Sequence, residues 1–238
     1  MTQKIIATVL DPVLALVYPP KCTVCRTFGA AVMCERCLRS IVPVAEPSCG
    51  RCGQTLGEAG ACGHCTKRAP AFDKARALGA HDSVLKHAIH LLKYRDRPRL
   101  AEPLGIALAA FARDHSADLG NLKIDMVVPV PMHPARRRTR GYNQAERLAA
   151  VVARELLLSM SADALVRRVN TKAQVGLTQE ARQQNLTGAF GAGSLTVTGM
   201  SILVIDDVST TGSSLHECAL ALKSAGANKV YALTLAAG

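Results

Sequence analysis

The chain has 238 residues, 49% of them apolar but only 3% aromatic, with no tryptophan. That length suits one ordinary domain with a small appendage, or two modest domains, packed by aliphatic side chains. The 29 basic residues against 18 acidic ones give a net charge of +11, which favours an anionic partner without choosing among nucleic acid, phosphorylated metabolite and acidic surface. No run reaches the roughly 18 to 20 apolar residues needed to span a bilayer, so stable membrane insertion is not expected.

Residues 1–20 come first. Ile5, Ile6, Val9, Leu10, Val13, Leu14 and Val17 fall at helical spacing and predict an amphipathic helix with one apolar face. Asp11 and Pro12 interrupt the apolar run, so it does not read as a secretory signal.

Residues 21–70 are rich in turn formers and hold eight of the nine cysteines, as Cys22/Cys25, Cys34/Cys37, Cys49/Cys52 and Cys62/Cys65. Four C-x-x-C pairs have the spacing of zinc knuckles, in which two knuckles present four thiolates to one ion. Eight thiolates make two structural zinc sites. Sequential and crossed pairing are both compatible with the spacing. A segment this poor in large apolar residues lacks a sufficient core, and bound zinc, at about 10–16 kcal/mol of apparent free energy per site, supplies what is missing. Reduced, metal-bound cysteines imply a cytoplasmic protein. His64, inside the last knuckle, is read as a bystander.

From about Phe72 helical and strand-like pieces alternate, which predicts an α/β domain over 71–238. A helix capped by Asp82-Ser83 is expected to run to Leu92 or Lys93, followed by the basic turn Lys93-Tyr94-Arg95-Asp96-Arg97. Further elements are a helix over Leu100–Asp114, a buried strand over Met126–Val130, a long helix over Asn143–Met160, a short strand over Leu165–Val169 and a short helix over Gln179–Leu186. A strand over Ser201–Ile205, a helix over Ser213–Ala225 closed by Gly226, and a strand over Lys229–Leu235 complete the reading.

Two stretches carry chemistry. After the strand ending Pro129-Val130-Pro131, the sequence supplies Arg136, Arg137, Arg138 and Arg140. Arginines at the exit of a parallel strand sit on the ligand side of an open α/β sheet, and Arg is the planar donor suited to phosphate. They are read as contacting pyrophosphate or nucleic acid, the alternative being a solvated basic loop. The second stretch is ILVIDDVSTTGSS, Ile202 to Ser214. A strand ended by Asp206 and Asp207 leads through a turn to a helix N-terminus, where backbone N–H groups and the positive dipole end attract phosphate. Gly212 admits a close backbone approach, Ser209, Thr210, Thr211, Ser213 and Ser214 offer hydroxyls, and the two carboxylates accept hydrogen bonds from a ribose diol.

IDDVSTTGSS resembles the phosphoribosyl pyrophosphate (PRPP) motif of the type I phosphoribosyltransferases, with Asp206 and Asp207 as the acids and Thr210, Thr211, Gly212 and Ser214 in the phosphate cradle. Together with Lys93-Tyr94, Val128 to Pro131, Arg140-Gly141-Tyr142-Asn143-Gln144, and Thr171, Gln174, Leu177, Arg182, Asn185 and Phe190 in that order, the chain resembles the ComF/GntX-like proteins associated with competence and DNA utilisation. The resemblance implies a Rossmann-like phosphoribosyltransferase core with a parallel sheet, joined to an N-terminal double zinc-ribbon module. It also implies a magnesium-dependent transferase acting on PRPP, with Asp206 and Asp207 on the ribose, residues 209–214 on the 5′-phosphate, and Arg136, Arg137 and Arg140 on pyrophosphate. The alternative is a module that senses PRPP or handles single-stranded DNA without turnover. Candidate partners are single-stranded DNA and proteins of DNA uptake or recombination.

Overall fold

The structure, a computed structural model, describes residues 19–29, 32–58, 60, 62–94, 97–169 and 186–238. The helix expected within residues 1–20, the residues Arg95 and Asp96, and the stretch carrying Thr171, Gln174, Leu177, Arg182 and Asn185 lie outside that description. So does the helix expected over Gln179–Leu186, apart from Leu186 itself.

The cysteine segment holds two one-turn helices, α1 (Glu35–Arg39) and α2 (Gly63–Lys67). The chain then alternates: β1 (Lys74–Ala80), α3 (Ser83–Tyr94), α4 (Ala101–Asp114), β2 (Met126–Pro129), α5 (Pro134–Arg140), α6 (Gln144–Leu156), β3 (Ser159–Met160), β4 (Leu165–Arg167), β5 (Phe190–Ala192), β6 (Ser201–Ser209), α7 (Ser213–Ser224) and β7 (Lys229–Ala237). Five strands form one sheet in the order β1-β7-β6-β2-β3, and every pairing in it is parallel. Strands β4 and β5 form a separate antiparallel pair.

Both faces of the sheet are covered, because successive strand residues point to opposite sides. Val127, Leu203, Ile205, Leu233 and Leu235 face one cluster, shared with Leu85, Ile89 and Leu92 of α3, Leu104 and Leu108 of α4, and Leu148 and Val152 of α6. Val128, Ile202, Val204, Val230 and Ala232 face the other, shared with Leu215, Cys218 and Leu222 of α7 and with Leu165 and Phe190. Each fully buried Val, Leu or Ile contributes about 1.5–3 kcal/mol relative to exposure, so two aliphatic clusters take the place of the missing aromatics. Gly105 lets α4 and α6 cross closely: a Cβ there would lie 2.6 Å from Val151 Cβ.

Three expectations are corrected. The strand after Met200 does not stop at the two aspartates; β6 runs on to Ser209, because Asp206, Val208 and Ser209 still pair with Thr234, Ala236 and Ala237 of β7. The helix expected to reach Met160 ends at Leu156, where Leu157 turns left-handed at φ +56° and the chain enters β3. The basic stretch after Pro131 is a helix rather than a loop: His133 Nδ1 accepts from the Ala135 N–H at 3.2 Å, Pro134 occupies the first turn, and Gly141 closes the helix at φ +83°. Proline at the start and glycine past the end is a helix signature. Among the described residues, no helix is long and apolar enough to cross a membrane.

Candidate functional site

From β2 the chain crosses through α6 to β3 on one side; from β6 it crosses through α7 to β7 on the other. The strand order therefore reverses between β2 and β6, and in an open α/β sheet ligands bind at the carboxyl ends of the strands flanking such a point. A cavity of about 960 Å³ lies there. Val130 and Pro131 follow β2 on its wall. Asp206, Asp207, Thr210 and Ser214 come from β6 and the turn after it, and Lys93, Arg136, Arg140 and Arg167 supply positive charge.

The two carboxylates have unlike surroundings. Asp207 shares its face of the strand with Leu203 and Ile205, is buried, and pairs through Oδ1 with Lys93 Nζ at 2.7 Å. Its Oδ2 is buried and has no hydrogen-bond partner among the described residues. Burial works against the charge on Lys93, but Asp207 and then Asp206 outweigh it and raise its pKa. Asp206 shares the opposite face with Ile202 and Val204; its Oδ1 accepts from the Asp207 N–H at 2.8 Å. Burial, then the neighbouring Asp207 charge, pushes Asp206 up to about 7.

The turn 209–214 has two sides. Thr210 and Ser214 line the cavity. Thr211, Gly212 and Ser213 line a narrow crevice behind it, where the Thr211 and Ser213 hydroxyls lie 2.7 Å apart. Ser209 lines a neighbouring crevice rather than the cavity. Gly212, at φ +70°, immediately precedes α7; a side chain in that left-handed region costs about 1–2 kcal/mol. Of the three site arginines expected from sequence, Arg136 and Arg140 line the cavity. Arg140 Nη1 donates to Gln144 Oε1 at 2.7 Å, and its guanidinium lies 5.1 Å from the centre of the Tyr94 ring. Arg137 turns away and pairs with Glu146 at 3.0 Å.

The cysteines form two tetrads, Cys22/Cys25/Cys34/Cys37 and Cys49/Cys52/Cys62/Cys65, each with its sulfurs within 4.8 Å of one another. The pairing is therefore sequential, and neither tetrad includes His64. Zinc–sulfur bonds of about 2.3 Å at tetrahedral angles require sulfurs about 3.8 Å apart. Cys22–Cys37 at 3.9 Å, Cys25–Cys34 at 3.6 Å and Cys52–Cys62 at 3.5 Å fit that requirement. Backbone N–H groups of Cys25 and Cys34 point at Cys22 Sγ, and that of Cys62 at Cys49 Sγ, the donors a bound thiolate needs. Hydrogen bonds from Thr27 and Arg36 hold the Cys25 thiol down to about 5, whereas burial pushes Cys52 up to about 11. These residues fit two structural zinc ions.

Two family models match the chain: a double zinc ribbon domain over residues 13–66 and a phosphoribosyl transferase domain over residues 100–238. Competence protein F of Haemophilus influenzae is 32% identical over 214 residues, covering 86% of this chain and 90% of that protein. The chain belongs to the competence protein F branch of the phosphoribosyl transferase family. Two further relatives are DNA utilization protein YhgH of Escherichia coli strain K12, 29% identical with 90% and 96% covered, and competence protein ComFC of Bacillus subtilis strain 168, 25% identical with 85% and 83% covered.

In this phosphoribosyl transferase fold, two ionisable side chains of the cavity wall, Arg167 and His81, are absent from the sequence-based expectations. Arg167 lies on β4 two positions from buried Leu165, hence on the same side of the strand, with its guanidinium 5.1 Å from the Phe190 ring centre. Its neighbour Arg168 lies over Gly191 instead, 2.4 Å from where a Cβ would be. Strand alternation would have preferred Arg167. His81, just past β1, also lines the cavity, and no sequence signal marks it.

Proposed function

We propose that this chain binds PRPP with Mg²⁺ in the cavity at the β2/β6 switch point and transfers its phosphoribosyl group to a nitrogenous base, releasing pyrophosphate. The carrying observation is the convergence, at one strand end, of an acidic pair, a hydroxyl-lined turn onto a helix N-terminus, and four cationic side chains. The turn 209–214 holds the 5′-phosphate, through Thr210 and Ser214 and the first N–H groups of α7. Asp206 and Asp207 orient the ribose diol. Arg136, Arg140 and Arg167 face the departing pyrophosphate, where charge develops as the C1–O bond breaks with its electron pair and a C1–N bond forms. Lys93 pairs with Asp207 and fixes its orientation.

The acidic pair fits Mg²⁺, which is held by one or two carboxylates together with substrate phosphates rather than by an all-protein cage. Outside the cysteine tetrads, no cluster of three or more ligating side chains occurs among the described residues, and the unpartnered Asp207 Oδ2 is available. When bound, the ion would neutralise phosphate charge. The names of the relatives, competence and DNA utilization proteins, support a role connected with DNA; we further propose that the chain serves DNA uptake or the use of DNA and its bases in the cytoplasm, with single-stranded DNA and uptake or recombination proteins as partners. The boundary between the zinc module and the transferase domain is placed at residues 70/71, just before β1.

The test is to incubate the zinc-loaded protein with PRPP, Mg²⁺ and a panel of bases and follow pyrophosphate. Release that is lost in Asp206→Asn and Asp207→Asn supports transfer. Tight PRPP binding without release on any base favours a sensing role, and absence of PRPP binding sinks the assignment.

A further inference from the structure

We infer that the second zinc ribbon (Cys49 to Cys65) is a positioning element of the phosphate turn, so that zinc occupancy at its tetrad and affinity for a 5′-phosphate are coupled. The inference rests on the assignment of residues 209–214 to phosphate.

The turn has only a thin wall between ligand and ribbon. Its cavity side is open, and its rear closes a crevice whose other wall is Cys52, His64, Cys65 and Arg68. Three connections run across that junction. Phe72, 2% exposed, lies behind Gly212, with its ring 3.7 Å from where a Cβ would stand. The Ala71 N–H donates to His216 Nδ1 at 2.9 Å, tying the chain that leaves the ribbon to the first turn of α7. The first knuckle of the ribbon grips the same segment from the other end: Arg51 O accepts from the Ala75 N–H at 2.8 Å, and Arg51 Nε donates to Phe72 O at 3.4 Å. Gly53, at φ +71°, lies so close to β1 that a Cβ would stand 2.9 Å from Ala75 O. Cys52 itself packs on the cluster that holds Phe72 and Leu215.

Residues 71 and 72 are thus clamped between a zinc knuckle and the helix whose N-terminus faces the phosphate. Losing the metal releases the knuckle, and with it the backing of Gly212 and the Ala71–His216 tie. The turn must then pay the ordering cost of binding alone. Among the described residues the first tetrad has no such path to the turn: Cys22 and Cys37 pack with Leu85 and Ala88 on the other face of the sheet. Coupling between two sites is reciprocal and typically amounts to about 5- to 150-fold, so phosphate binding also retains the second zinc.

Ribose 5-phosphate is the probe, titrated calorimetrically into the full zinc-loaded chain, into Cys65→Ser and into Cys34→Ser, with zinc content measured for each. Cys65→Ser is expected to weaken binding by about tenfold or more, and Cys34→Ser by less than twofold. In the wild type, ribose 5-phosphate, but not ribose, should slow the release of one of two zinc ions to a chromogenic chelator. His216→Ala leaves all eight thiolates in place and removes the acceptor for the Ala71 N–H. It should weaken ribose 5-phosphate severalfold, and His216→Asn, whose Oδ1 replaces Nδ1, should restore binding. Equal affinity in Cys65→Ser and wild type, or zinc release indifferent to ribose 5-phosphate, overturns the coupling while leaving the phosphate site intact. A wild-type chain that ignores ribose 5-phosphate and PRPP alike overturns the site assignment itself.

Discussion

The two faces of the sheet are built from matching parts with different consequences. Each carries a four-thiolate ribbon, a helix beside the cavity and one of the two aspartates. On the first face, Cys22, Met33 and Cys37 pack with α3, and Asp207 pairs with Lys93 from the end of that helix. On the second, Cys52 packs with Phe72 and the first turn of α7, and Asp206 lies toward Arg167, whose charge opposes the rise in its pKa. Identical ligand chemistry therefore yields a staple on one side and a support for the phosphate turn on the other. What separates them is the neighbour each ribbon rests on.

Truncating the buried residue between ribbon and sheet gives the largest expected effect and separates the faces. Phe72→Ala should cost about 3–5 kcal/mol and Met33→Ala about 2–5 kcal/mol, both read as a lower thermal midpoint. Only Phe72→Ala should also weaken ribose 5-phosphate, because only Phe72 backs Gly212. If Met33→Ala weakens the ligand as much, the two ribbons are equivalent and the distinction between the faces is lost.

Much of this was legible in the sequence because the signals were local. The tetrads follow from C-x-x-C spacing, the sheet from aliphatic runs such as Ile202–Ile205, and the site from a strand, two acids and a hydroxyl turn leading onto a helix. The sequential pairing of the tetrads was not legible, since spacing alone permits a crossed one. Contacts between distant residues were equally hidden: Lys93 with Asp207, Ala71 with His216, and the placing of Arg167 rather than Arg168 on the cavity wall. The true end of β6 depended on the length of β7, which continues to pair with it as far as Ser209. Helix α5 is legible in principle, from Pro134 at its start and Gly141 past its end, although its run of arginines carries no apolar periodicity to mark it.

A second, smaller effect follows from the unlike aspartates. The folded pKa of Asp206, about 7, stands above its ordinary value of 3.8. The folded chain therefore holds a proton that the unfolded chain has released, and stability from this group is complete below 3.8 and lost as pH rises through about 7. Binding of Mg²⁺ with PRPP needs the ionised form, so affinity should move the other way: falling up to about tenfold per pH unit below 7 and reaching a plateau above it. Calorimetric titration from pH 5.5 to 8.5 reads this directly. Asp207→Asn removes the neighbouring charge that raises Asp206, so the midpoint should shift to lower pH in that variant. A midpoint that stays in place would mean that the two carboxylates do not sense each other across the strand.

The smallest effect concerns two adjacent arginines on α5. A helix turns about 100° per residue, so Arg136 and Arg137 cannot both face the cavity. Arg136 lines it, whereas Arg137 is exposed and pairs with Glu146 of α6. Exposed pairs of that kind contribute about 0.2–1 kcal/mol. Arg137→Ala should therefore shift the thermal midpoint by a degree or two at most and leave PRPP affinity unchanged. Arg136→Ala should weaken PRPP about tenfold through the lost contact to phosphate, where a hydrogen bond to a charged group is worth about 1.5–3 kcal/mol, and leave ribose 5-phosphate, which lacks the pyrophosphate, within twofold. Equal losses for both ligands would move Arg136 from the pyrophosphate to the 5′-phosphate. That would leave the second face of the sheet, with its ribbon and α7, holding less of the ligand than its geometry implies.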